Sequence, residues 1–154
     1  MYTEDIMQLS TKSRYAVRIL ANIAAHQHEG PVQKKRVAEQ EYLSADYVEQ
    51  ILVALRHANI VNSRRGAKGG FVTARPPAEI SVAEVIEATE GPLSLAPCDE
   101  NAKAGREVCQ GACITRPIWN RAAEMLKQYF SGIDMGQLAK QYQEQEQQGR
   151  MYYI

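Results

Sequence analysis

Cysteine is scarce in this chain: three in 154 residues, all within the 16-residue stretch from Cys98 to Cys109 and Cys113. No apolar run is long enough to cross a bilayer, so a helical membrane protein is excluded. The opening residues, MYTEDIMQLS, lack the apolar core of a signal peptide, and a cytoplasmic location is expected. In that setting an odd number of cysteines argues against a disulfide framework. Histidine is also rare, and no His, Asp and Glu constellation accompanies a cofactor loop, so no enzymatic activity is expected. The glycine-rich run RRGAKGG, residues 64–70, lacks the spacing and the trailing Lys-Ser/Thr of a phosphate loop. Net charge is zero, but residues 1–76 hold 11 Lys and Arg against 7 Asp and Glu, and residues 77–154 hold 7 against 11. One half suits phosphates and the other suits solvent or a protein partner.

The patterns that are present are mostly helical. Ala16, Ile19, Leu20, Ile23 and Ala24 form an apolar stripe from Thr11 onward, ended by Gly30-Pro31. His26 and His28 fall at that end, where capping or solvation is their expected role. Val32 to Gln40 reads as a short basic helix, and Glu41 to Leu43 as a turn. After it, Val48, Ile51, Leu52 and Leu55 follow the i, i+3, i+4, i+7 spacing of a helix, with Ser44 as N-cap and Asp46 in the first turn. Ile60-Val61 and Phe71-Val72 then read as two short strands around the basic glycine loop. A helix, a turn, a capped helix and a basic hairpin outline a winged helix-turn-helix. Ser81 and Glu84 predict a capping box for one more helix, which Gly91-Pro92 stops. By this reading the winged domain is complete at residue 91.

The expected fold is therefore mainly α with a small β wing, followed by a long helix. That helix starts at Thr115, with Pro117 tolerated in its first turn. Ile118, Trp119, Ala122, Met125, Leu126 and Tyr129 mark its apolar side, which is expected to pack against a second copy. Ser131-Gly132 breaks it, and Asp134 with Gln137 begins a short last helix bearing Leu138, Ala139 and Tyr142. The expected boundaries are a flexible extension at 1–6, a DNA-binding domain at 7–92 and a cysteine-bearing sensor loop at 93–114. A dimerisation helix and short C-terminal helix take 115–146, and a fraying tail takes 147–154.

Function follows from the helix-turn-helix. Ser44, Ala45, Tyr47, Glu49, Gln50 and Arg56 fall off the buried face, those nearest Ser44 being placed for base edges in a major groove. Arg64, Arg65 and Lys68, beside Gly69, suit the phosphate backbone. The expected partner is double-stranded DNA with a roughly palindromic operator, read by a homodimer; no membrane partner is expected. For Cys98, Cys109 and Cys113 the residues alone leave three choices open: an iron–sulfur centre, a thiol–disulfide switch, or zinc or no metal at all. Without a cluster the regulator would answer to a thiol–disulfide switch, a small molecule or a protein partner. Zinc more often shows paired C-x-x-C spacing.

Three segments, QLSTKSRYAVRILANIA, YVEQILVALRHANIVNSRRGAKGGFVTARPP and EVIEATEGPLSL, resemble the Rrf family of bacterial winged helix-turn-helix transcription regulators. The resemblance covers about residues 7–130. It implies a homodimeric regulator and, from members that carry three cysteines before a long helix, an iron–sulfur cluster on Cys98, Cys109 and Cys113. Whether the cluster is of the 2Fe–2S or 4Fe–4S type is left open. The spacing here, with ten and three residues between cysteines, departs from the more even spacing of other members. One branch of the family takes a fourth ligand from a histidine three residues after the last cysteine, and another from an aspartate of the partner's first helix. The matching positions here are Arg116 and Arg14, neither of which can ligate. The remaining sources are Asp99, Glu100 or Glu107, Glu4 or Asp5 of the partner copy, or a ligand from outside the protein. Lys103, Arg106 and Arg116 would offset thiolate charge.

Overall fold

The computed structural model describes residues 10–96 and 113–151. Helix α1, Thr11–His26, starts at Ser10, whose side chain accepts from the Ser13 N–H and donates to Glu90. Its stripe of Ala16, Ile19, Leu20 and Ile23 is fully buried and forms the centre of the core. A 3-10 turn, Gln27–Glu29, leads to Gly30, whose φ of 120° lies outside the range that other residues readily adopt.

Helix α2, Lys34–Glu41, begins two residues later than the sequence pattern suggested. Val32 is instead extended, exchanging two backbone hydrogen bonds with Phe71 at 2.9 and 2.8 Å. A β-branched residue after Gly-Pro suits an extended backbone, and this bridge ties the entrance of α2 to the wing. The turn after α2 runs through Tyr42 in the left-handed region, φ 57°. Helix α3, Ala45–His57, then buries Val48, Ile51, Leu52 and Leu55, as the spacing predicts.

Strands β1, Val61–Arg64, and β2, Gly70–Thr73, pair antiparallel from Val61 with Thr73 to Arg64 with Gly70. Helix α4, Val82–Glu90, carries the expected capping box: Ser81 Oγ accepts from Glu84 N–H, and the Glu84 carboxylate accepts from Ser81 N–H at 2.8 Å. Helix α5, Arg116–Ser131, has proline in its first turn and ends at Gly132. At ~1.5 Å per residue it is about 24 Å long.

Two expectations about the carboxyl half are corrected. The winged unit is not closed at residue 91, because Met135 and Ala139 of α6, Met135–Met151, are buried in its core. The entry to α6 is stitched to the entry to α4 by backbone bonds from Val82 to Ile133 and from Met135 to Ile80. Nor is α6 short: the helix continues to Met151, into the stretch expected to fray. Its Glu and Gln residues are good helix formers, and Glu146 is held from outside by His26 and Gln40. Among the described residues no helix is long and apolar enough to cross a membrane.

Candidate nucleic-acid interface

The exposed side of α3 is set by what its other side buries. With Val48, Ile51, Leu52 and Leu55 inward, Asp46, Gln50 and Arg56 are exposed, and Ala45, Glu49 and Val53 are half-buried. Ser44 is exposed and caps the helix by accepting from the Tyr47 N–H at 3.2 Å. Tyr47 does not stand free: its ring meets Tyr15 edge-on at 6.0 Å and packs against the core. Glu49 is paired with Lys34, at the start of α2, at 2.9 Å. The hydrogen bond and charge of Glu49, with a smaller contribution from Asp46, raise the pKa of the Lys34 ammonium.

The wing's shape follows from its glycines. A Cβ on Gly69 would collide with the Arg64 carbonyl, and one on Gly70 with the Val32 carbonyl. Gly66, at φ 119°, turns the chain, and Gly69 N–H closes the loop on Gly66 O at 2.9 Å. Arg64, Arg65 and Lys68 are exposed around this loop and form no ion pair among the described residues. Arg18, Arg36 and Arg75, by contrast, are each matched by a glutamate. The protein thus leaves its wing cations unneutralised, the arrangement that phosphates would complete.

Behind the helix-turn-helix lies a polar cluster that sequence reasoning missed. Glu41, the last residue of α2, is buried and paired with Arg18 at 2.8 Å. Its other oxygen accepts from the Tyr142 hydroxyl at 2.7 Å and lies 3.0 Å from Asn22 Nδ2. Burial and the charges of Glu41 and Glu146 push the pKa of the Tyr142 hydroxyl up, so it remains a donor at neutral pH. His26, expected to cap the helix end or to be solvated, is buried: Nδ1 meets the Asn22 carbonyl at 2.8 Å and Nε2 meets Glu146 at 2.9 Å. One signal was available for Glu41, which falls one helical turn after Val37 and so on the inward face of α2. Nothing local marked Tyr42, which is 93% exposed.

Of the three cysteines, Cys98 and Cys109 lie outside the described residues. Cys113 is half-buried three residues before the start of α5, with Sγ 3.2 Å from the Thr115 hydroxyl. The Arg116 N–H donates to the Cys113 carbonyl at 3.2 Å, and Arg116 Nε is buried without a hydrogen-bond partner among the described residues. No group of three or more His, Cys, Asp or Glu placed to hold a metal occurs among the described residues. Of the apolar candidates on α5, Ile118, Trp119, Met125, Leu126 and Tyr129 are exposed and Ala122 is half-buried; the buried residue of the helix is Ala123, which was not among them.

The family model described as "Rrf2: Iron-dependent Transcriptional regulator" matches residues 9–141. The chain belongs to the Rrf2 family. It is 35% identical to the HTH-type transcriptional regulator IscR of Xenorhabdus nematophila over 136 residues, covering 87% of this chain and 80% of that protein. It is 33% identical to the HTH-type transcriptional regulator CymR of Bacillus subtilis over 148 residues, 96% of this chain and 100% of that protein. The solved structure of T. potens IscR superposes with a TM-score of 0.71 at 31% identity, covering 89% of each chain. Membership makes this protein a transcriptional regulator of the IscR and CymR type, with a winged-helix fold and no enzymatic role.

Proposed function

We propose that the protein is a homodimer that binds a roughly palindromic DNA operator and alters that binding through its three cysteines. The observation that carries the DNA-binding part is the set of unpaired cations Arg64, Arg65 and Lys68 beside the open face of α3. Helix α3 would enter a major groove, with Ser44, Ala45, Glu49, Gln50 and Arg56 presented to it and Tyr47 holding the helix to α1. The wing, with Gly69 at its turn, would follow the adjacent backbone. A twofold dimer sets two such helices on half-sites separated by about one helical turn or a multiple of it. The exposed apolar side of α5 supports dimerisation. In this reading residues 7–92, completed by α6, read DNA, residues 93–114 carry the sensor, and α5 joins the copies.

For the sensor, the likeness to IscR and the donor set favour an iron–sulfur cluster on Cys98, Cys109 and Cys113. Thiolates are the usual ligands of such clusters. Cys113 is half-buried three residues before Arg116, whose buried Nε has no hydrogen-bond partner among the described residues and would suit a negative charge. When bound, a cluster would supply a centre whose ligands and oxidation state respond to oxygen, nitric oxide or small thiols. Cys113 would transmit that change to α5 through its short link to Arg116, and a coupling of about 1–3 kcal/mol would suffice for a switch. A second reading, a thiol–disulfide switch without metal, is favoured by Arg14 and Arg116 at the positions where the resemblance implies a fourth ligand.

One experiment tests both readings. Protein purified without oxygen should contain stoichiometric iron and sulfide and bind its operator with an affinity that changes on oxidation or in Cys109→Ala. Metal-free protein whose affinity changes on thiol oxidation would support the second reading. Equal affinity in every state would remove the switch.

A further inference from the structure

Lys34 opens α2, Glu49 lies in the second turn of α3, and their charged ends meet at 2.9 Å across the front of the helix-turn-helix. The side chains are 36% and 44% exposed, and ion pairs this open contribute little to folding. Stability therefore gives no reason for the pair. Its location does, because Glu49 shares the outer side of α3 with Gln50, Val53 and Arg56. A bare carboxylate carried into a major groove meets the field of the phosphates and has only acceptors to offer the bases. The base-edge group that suits it is an amino donor, cytosine N4 above all. Lys34 supplies the missing countercharge from the neighbouring helix. It meets Glu49 at Oε2, and no other described residue pairs with that carboxylate.

We propose that Lys34 is a specificity-determining positioning residue, which neutralises Glu49 at the groove and aims its other oxygen at a cytosine amino group. The proposal rests on the DNA-binding reading above. It separates Lys34 from the wing cations: those add affinity for any duplex, whereas Lys34 acts through Glu49 on sequence choice.

The test is selection from randomised duplexes followed by a binding cycle on native protein, Lys34→Met, Glu49→Gln and the double variant at fixed salt. Lys34→Gln serves as a second variant, and thermal melting checks that each one folds. Native protein should prefer cytosine at one position of each half-site. Glu49→Gln should reduce that preference by at least about fivefold. Lys34→Met should reduce it comparably and weaken operator binding more in the native background than in the Glu49→Gln background. An equal loss in both backgrounds, with base preference unchanged and a salt slope lower by about one, would overturn the proposal and leave Lys34 as a phosphate contact. Native protein that selects no sequence would overturn the DNA-binding reading itself, and this inference with it.

Discussion

Glu41 shows how one side chain can hold a recognition unit in place. Its carboxylate is buried where α1, α2 and α6 meet, and the two helices other than its own give it partners: Arg18 and Asn22 from α1, and Tyr142 from α6. Replacing Glu41 with Ala would leave the Tyr142 hydroxyl and the Asn22 amide short of an acceptor and should cost roughly 2–4 kcal/mol in denaturant unfolding. Tyr142→Phe keeps the packing, removes one donor and should cost about 1 kcal/mol. A second carboxylate responds to pH. Burial pushes the Glu84 carboxyl up, but the hydrogen bonds from Ser81 and the charge and hydrogen bond of Arg75 together hold it below its ordinary value of 4.5. A carboxylate depressed in the folded state contributes stability above its unfolded value and loses it as pH falls through the folded one. The difference in melting temperature between native protein and Glu84→Gln should therefore shrink as acid is added below that range. A difference that is constant with pH would contradict this.

Among the elements, the wing is the one most tightly specified by small residues. Gly70→Ala would drive a methyl group into the Val32 carbonyl and break the bridge between Val32 and Phe71, at a cost of about 1–3 kcal/mol. Arg65→Ala and Lys68→Ala should leave stability alone, weaken binding to all duplexes about equally and each lower the salt slope by about one. Titrations at several salt concentrations check this, and an unchanged slope would take the hairpin off the DNA. Helix α3, the hairpin and the capping box were legible because each carries a local signature: period, cap or turn chemistry. Val32 was not, since its partner Phe71 lies 39 positions away and a short basic run favours helix on local grounds. Helix α6 was misread for the same reason. Gln143 and Glu146 resemble solvated polar residues until the fold supplies the Ala25 carbonyl and His26. At the candidate interface the sequence placed Glu49 on the outer side of α3 but could not pair it with Lys34.

At the scale of the whole molecule, α5 separates what the protomer needs from what a second copy would cover. Ala123 is buried, and α5 packs on α4, where Lys127 pairs with Glu87 at 2.8 Å. Met125 and Tyr129 are more than half exposed. Leu126→Glu should therefore give folded monomers that bind DNA weakly, seen by sedimentation and by titration with operator duplex. A variant that stays dimeric would place the contact elsewhere. Met135→Ala should act on folding instead, because that side chain is fully enclosed, with a loss of about 2–5 kcal/mol.

The bond between His26 and Glu146 spans 120 positions of sequence. It gives the protein an order of assembly. During translation the whole helix-turn-helix and wing leave the ribosome before Met135, Tyr142 or Glu146 exists. At ~5–20 residues per second the interval from residue 92 to residue 146 is roughly 3–11 s. Throughout it the nascent recognition unit has an open flank where α6 will lie. A chain stalled with residue 92 just outside the exit tunnel should be cut readily by protease, and one stalled with residue 151 outside it should resist. The regulator's competence to meet DNA is thus acquired late, with the last of the described helices, long after the residues that would touch the bases have been made.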